Sequence, residues 1–343
     1  MPNKHPQGFA SREDAIQALL GGGDVAHFNA VDTSTPLASV AVEYRGGGNY
    51  IADFILPMLP VPKRKHTIRG IDPNRERFRR KGTERPPGGE ANLIDRNFDS
   101  AVTVNVTDHA LADLVPDEEE VYADEAIASA ITAVQDLTEV LKIDKEVLCR
   151  DLIDTAVTAT SAITGDYSAG AGDPEVDAQT AIAAIKTAVG FRPNRIAMDC
   201  AVYEALRHHP NFLARMDGHS GPGDFDDKKK LALWLLGAAD GELVVADTAP
   251  INTAAKGQSP AMADIWGERM LYYYAEAPRP RYRGLGLTCT NDNVLKGVQG
   301  RDGMAVESFR VPRRHSDMHV VHMFYDQVIT NAGAGYLFTG ALS

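Results

Sequence analysis

The stretch from Pro116 to Leu152, PDEEEVYADEAIASAITAVQDLTEVLKIDKEVLCRDL, decides the fold. Its apolar residues Ile127, Ala130, Ile131, Val134, Leu137 and Leu141 recur at intervals of three and four, and Val147, Leu148 and Leu152 extend the stripe. Pro116 suits a first helical turn, and Asp117, Glu118, Glu119 and Glu120 follow where the helix dipole favours negative charge. The pattern predicts a helix of about 30 to 35 residues, roughly 45–50 Å long at ~1.5 Å per residue. That is more than a compact domain ordinarily holds, so other elements must be laid along it.

Upstream, the chain is poor in core material. Ser11 can cap a helix over residues 12–20, which Gly21-Gly22-Gly23 ends, and residues 29–48 read as an irregular arm that needs a neighbour to order it. Between Pro62 and Arg85 ten basic residues face three acidic ones: Lys63, Arg64, Lys65, Arg69, Arg75, Arg77, Arg79, Arg80, Lys81 and Arg85 against Asp72, Glu76 and Glu84. Pro86-Pro87-Gly88-Gly89 then marks a turn, and Val102, Val104 and Val106 alternate as in a strand. The simplest reading is a polar two-stranded excursion. An isolated hairpin is marginal in water, so this one must lie on something else.

Downstream, residues 173–310 read as α/β. Helices are expected over 177–189, 201–208 and 228–236, with Trp234 on an apolar side, and strands over 195–198, 243–246 and 270–275. Strands over 304–311, 319–329 and 335–339 close a sheet. Glycine breaks at 46–48 and 165–172 are read as flexible hinges.

Motifs for chemistry are weak. His319 and His322 fall on opposite faces of a strand, and His315 with Asp317 and His319 lacks a fourth ligand, so no metal is expected. His208 and His209 close a helix, where a cation opposes the dipole. The glycine runs match no phosphate-binding loop, and no GxSxG or Cys–His pairing stands out, so neither cofactor nor catalysis is expected. Cys149, Cys200 and Cys289 are isolated, which predicts a reducing compartment. Residues 1–17 are polar and the apolar run 51–61 is short, so neither secretion nor a membrane is expected.

The chain's formal charge of −12 argues against nucleic acid as its main ligand. An acidic patch, Asp113, Asp117, Glu118, Glu119, Glu120, Asp124 and Glu125, nevertheless complements the basic excursion. Each repels itself, so the two are expected to neutralise one another between copies of the subunit.

Three segments carry a family resemblance. They are Asn49-Tyr50-Ile51-Ala52-Asp53-Phe54-Ile55-Leu56-Pro57 with Pro60-Val61-Pro62-Lys63; Arg195-Ile196-Ala197-Met198-Asp199 with Val202 to Leu206 and His209-Pro210; and Leu243 to Asp247, Asn252-Thr253-Ala254 and Ile265-Trp266-Gly267. In order and spacing, over about residues 45–310, they resemble the HK97-type major capsid proteins of tailed bacteriophages. The resemblance implies an α+β subunit with an N-terminal arm (1–45) and an extended β-hairpin loop with its entry strands (46–108). A peripheral domain on a long spine helix (109–169), an α/β axial domain (170–305) and C-terminal strands returning to the peripheral domain (306–343) complete it. It further implies hexamers and pentamers of an icosahedral head, with the loop lying across an adjacent subunit and non-specific contact with packaged double-stranded DNA. Scaffold, portal and decoration proteins are the expected partners, with assembly in the host cytoplasm and final residence in the virion. An encapsulin-like nanocompartment shell shares the fold. An α/β enzyme using the basic loop to bind anionic substrates is the reading from another class.

Overall fold

The computed structural model describes residues 49–70, 84–85, 87–90, 100–118, 126–216, 227–238, 240–247, 251–252, 258–279, 281–292 and 302–342, together with Leu37, Ala41 and Tyr44. The expected helix over 12–20, the glycines at 46–48 and most of the basic excursion lie outside the described residues.

In chain order the described elements begin with α1 (Ala52–Ile55), β1 (Met58–Pro60), β2 (Lys65–Gly70), β3 (Ser100–Asn105) and β4 (Thr107–Pro116). The long helix α2 (Ala126–Ala156), β5 (Thr160–Ala162), α3 (Pro174–Val189), β6 (Arg195–Asp199), α4 (Cys200–Arg207), α5 (Pro210–Met216) and α6 (Asp227–Leu236) follow. The rest is β7 (Glu242–Ala246), β8 (Ile251–Asn252), β9 (Met262–Ala263), β10 (Met270–Tyr273), β11 (Arg281–Tyr282), β12 (Gly286–Thr290), β13 (Met304–Val311), β14 (Ser316–Ile329) and β15 (Gly335–Thr339).

The fourteen-residue β14 is the axis of the first sheet. β4 runs antiparallel along one edge from Ser316 to Tyr325, while β13 and β12 share the other edge end to end, and β1 adds to β12 in parallel. Pairing of period two sends Val321, Met323 and Tyr325 toward α2, where Val134 and Leu141 meet them with Val306, Leu37 and Ala41. The last described part of the arm thus packs on its own subunit. Phe324 and Val328 point the other way, into a cluster with Ile68, Val104, Val106 and Tyr282. The base of the β2–β3 hairpin, joined by β11, is therefore part of the core, although the whole excursion reads as projecting.

The second sheet has the order β5-β15-β10-β6-β7 and is covered on both faces. Ile196, Met198, Met270, Tyr272, Leu243 and Phe338 meet the helices α3, α4 and α6, whereas Ala197, Leu271, Tyr273 and Leu337 meet α1 and the end of α2. Two assignments change here. β15, read among strands returning to the spine-helix part, pairs instead with β10 and β5 in the α/β sheet. β12, placed by sequence within the α/β part, pairs with β14.

Helix α3 starts at Pro174, earlier than the apolar pattern indicates, because Asp173 accepts the amide of Glu175 and proline occupies the first turn. Asp177 is then free to turn inward, where it accepts from Tyr167 Oη at 2.6 Å and from the amide and hydroxyl of Thr164. Burial, reinforced by this carboxylate, pushes the Tyr167 hydroxyl's pKa far up. The loop 165–172, read as a flexible break, is instead closed by this bond and by backbone contact between Gly165 and Gly172. A Cβ on Gly165 would stand 2.8 Å from the Gly172 nitrogen. Gly165→Ala is therefore expected to lower the subunit's stability by about 2 kcal/mol, the order of an overpacked core site, read as a lower midpoint in urea unfolding.

Candidate subunit-contact surfaces and the junction that positions them

Glu146 sits on the inward face of α2 and is 1% exposed. Its Oε1 accepts from the Ile51 amide at 3.0 Å and the Trp266 indole at 2.6 Å, and Oε2 accepts from the Ala52 amide at 2.9 Å. The carboxylate thus satisfies the orphan donors of the entry helix α1 and ties both to the α/β part. Burial raises its pKa, against the lowering effect of those three bonds. Around it Lys145 pairs with Asp53, Tyr50 donates to Glu139, and Lys142 donates to the Tyr44 carbonyl. Arg195 lies over Phe54 at 4.2 Å from the ring centre and reaches Glu242 at 3.1 Å. These contacts aim the chain at the hairpin root. The adjoining cleft, about 660 Å³, is lined by Tyr44, Tyr50, Lys142, Lys145, Asp302 and Tyr325.

Of the basic residues, Lys63, Arg64, Lys65 and Arg85 are exposed, and Arg64 Nε donates to the Val106 carbonyl at 3.1 Å. Arg69 lies in β2, while Arg75, Arg77, Arg79, Arg80 and Lys81 lie outside the described residues. Of the acidic residues, Asp113 and Glu118 are exposed, and Glu119, Glu120, Asp124 and Glu125 lie outside the described residues. Pro116, expected in the first turn of the long helix, instead ends β4 (Thr107–Pro116), where its pairing with Ser316 on β14 holds it in the sheet. Among the described residues no ion pair joins the basic and acidic groups within the subunit. Asp117 is already engaged: Arg310 grips both its oxygens and also reaches Asp317 at 3.1 Å. The hydrogen bond from Arg310 lowers the Asp117 pKa. The signal for Arg310 was a second basic run, Arg310 to His315, in an acidic chain.

The remaining polar candidates have structural partners. His319 is bound to Ser308 at 2.8 Å, and His322 sits between Asp108 at 3.0 Å and Glu307 at 3.8 Å. The ring of His209 is buried edge-on to Tyr167, and His208 pairs with Glu204. No group of three metal-ligand side chains converges among the described residues. Burial raises the thiols of Cys149 and Cys289, the latter to about 12, opposite to what a nucleophile needs. Asp199 caps α4 through the Ala201 amide, and burial, with Asp264 nearby, pushes it up to about 6. No helix among the described residues is long and apolar enough to cross a membrane.

No family model matches the chain. It is 23% identical over 314 residues to the major capsid protein of Burkholderia phage BcepMu, spanning 89% of this chain and 95% of that one. A phage-related protein from Bordetella bronchiseptica RB50 superposes with a TM-score of 0.64 at 20% identity, over 89% of this chain and 96% of that one. The bacteriophage PhiM1 mature capsid gives 0.50 at 12% identity, over 85% and 87%. These likenesses define the class: the chain carries the HK97-type capsid fold. Within that fold, the chain is similar along most of its length to one phage major capsid protein.

Two predictions follow from the buried carboxylates. Glu146→Ala leaves three donors unmet and should cost about 3 kcal/mol, with Trp266→Phe costing about 1; an unchanged urea midpoint in the first would refute the tie. Asp199 binds its proton more tightly folded than unfolded, so its contribution to stability falls as pH rises from its ordinary value near 3.8 toward about 6. Asn keeps the cap without titrating. Asp199→Asn should raise the melting temperature at pH 8 and leave it unchanged near pH 4.

Proposed function

We infer that the chain is the major capsid protein of a tailed phage, a subunit that builds an icosahedral shell. The observation that carries this reading is likeness to a phage major capsid protein over 89% of this chain and 95% of that one. A phage relative also favours a viral head over an encapsulin-like compartment.

The subunit works by geometry rather than by chemistry of its own. The α2 layer and the α/β layer act as rigid bodies, and the arm (1–45) and the loop (46–108) reach neighbours in hexamers and pentamers. The division into a peripheral part (109–169) and an axial part (170–305) follows the same reading, with β15 and β12 exchanged between the layers. The basic loop lies on a neighbouring copy and meets Asp113, Glu118, Glu119, Glu120, Asp124 and Glu125, but not Asp117, which is occupied within its own subunit. Packaged double-stranded DNA, scaffold, portal and decoration proteins complete the virion, after assembly in the host cytoplasm. The cleft beside Glu146 does not favour an enzyme: Glu146, Lys142, Lys145 and Asp53 are held by one another, by backbone groups or by the Trp266 indole.

Electron microscopy of the purified protein, with light scattering for mass, tests the reading. Closed particles or hexameric sheets are expected, fewer at high salt, since surface charges are screened beyond ~8 Å at physiological ionic strength. Deleting residues 71–90 should leave a soluble, folded subunit that closes no shells. Intact shells from the deletion would refute the loop's role, and a small compact oligomer with saturable ligand binding would favour an enzyme.

A further inference from the structure

The cleft beside Glu146 holds groups that the tie between the layers leaves unused. Met58, Met304 and Met323 lie in its lining, one each from β1, β13 and β14. Met58 is 41% exposed, a large apolar side chain open to water. Three unbranched thioethers make a floor that reshapes itself around an aliphatic or aromatic group. Tyr325 lines the same cleft and is 4% exposed. His109 stacks on its ring with 4.3 Å between centres, and Lys145 Nζ lies 5.6 Å from the ring centre. The ring is clamped, yet its hydroxyl is buried with no hydrogen-bond partner among the described residues. Such a group costs stability that an incoming acceptor recovers.

The lining is also acidic, with Asp53, Glu146, Asp247 and Asp302 against Lys142 and Lys145. Asp247 and Asp302 are its exposed carboxylates beyond the Lys145–Asp53 pair. Asp302 has φ 55°, a left-handed conformation uncommon for a residue other than glycine, and Gly303 follows at φ 78°. The turn is fixed from three sides. The Gly303 amide donates to Asp292 at 2.6 Å, its carbonyl accepts the Phe324 amide at 2.7 Å, and a Cβ on it would stand 3.1 Å from the Thr290 side chain. The backbone beneath the Asp302 carboxylate is therefore set before anything binds, which spares ordering cost on contact. The cleft's volume, about 660 Å³, lies within the ~300–1,000 Å³ of ligand sites.

We propose that this cleft docks a short linear segment of a different protein, one in which a large apolar side chain stands next to lysine or arginine. The apolar anchor enters among the three methionines, and the neighbouring cation meets Asp247 and Asp302. A main-chain carbonyl of the segment accepts from the Tyr325 hydroxyl. A peptide carries all three groups within a few residues, and a buried apolar anchor with a polar rim is the usual source of affinity in such contacts. The occupant is another protein because the chain's own basic loop is assigned to the acidic patch. On that one point the proposal rests on the reading given above.

The probe is a fluorescently labelled, capped hexapeptide of alternating leucine and arginine, titrated with the full-length chain and read by anisotropy. Saturable one-to-one binding is expected. Tyr325→Phe should weaken it about threefold to tenfold, the order of one hydrogen bond, while melting no lower than the wild type, since the lost hydroxyl has no partner to leave behind. Met58→Gln, at an exposed position, should weaken it by a similar factor. D247N/D302N should weaken it about twofold to fivefold and flatten its salt dependence, and asparagine tolerates the left-handed backbone at residue 302. Equal binding of a glutamine–arginine peptide, or no response to these variants, would reduce the contact to net charge and overturn it. Displacement by octylamine at the same concentration as unlabelled peptide would assign the cleft to small amines instead. Binding about tenfold tighter to a chain lacking residues 71–90 would make the chain's own loop the occupant, overturning the partner while leaving the shell reading to electron microscopy.

Discussion

A carboxylate withdrawn from water is tolerated only where donors surround it, and Glu146 meets donors from two other segments. Its partners are the start of the short entry helix and an indole in the α/β part, while Glu146 itself belongs to α2. One side chain therefore fixes the rotation of a 31-residue helix relative to everything else. Apolar packing alone would specify that rotation loosely, because neighbouring positions on a helical stripe are nearly equivalent in oil-like contact. A single buried charge with three directional bonds is not equivalent to its neighbours.

From that fixed point the rest is a matter of period. With α2 oriented, the odd residues of β14 from Val321 to Tyr325 take its apolar face, and the even ones are left for the hairpin base. The hairpin root is consequently held by the same strand that rests on the helix. The α/β sheet repeats the logic, with alternate residues of β6, β10 and β15 serving the helices on one side and the entry helix on the other.

Where the chain obeys one strong period, the sequence is readable. β13 and β15 fall where their residues predict them, and the long helix keeps its length but is described from Ala126 rather than from Pro116. Readability fails where a polar residue takes an inward place. The stripe through Leu148 looks continuous, yet Leu148 is 39% exposed and the buried seam passes through Glu146, Cys149 and Ile153. It fails again at β4, whose alanines and aspartates carry low strand propensity and are recruited by ten pairings with β14. The exchange of β12 and β15 between sheets has no local signal, since both are buried runs and only distant partners distinguish them. Of the surface charges, the loop and the acidic patch were visible as runs, whereas the pairing of Asp117 with Arg310 joins positions far apart in sequence.

That pairing also bears on how one chain can occupy several environments. Exposed ion pairs are individually weak, so a surface built from them can be rearranged at little cost. A buried carboxylate with three partners cannot. The chain separates these two kinds of electrostatics in space: the buried charge lies where the layers join, and exposed charges lie at the β13–β14 turn, the loop root and the β4 edge. Rigidity within the subunit and adaptability between subunits then come from the same residue types, distinguished only by their access to water.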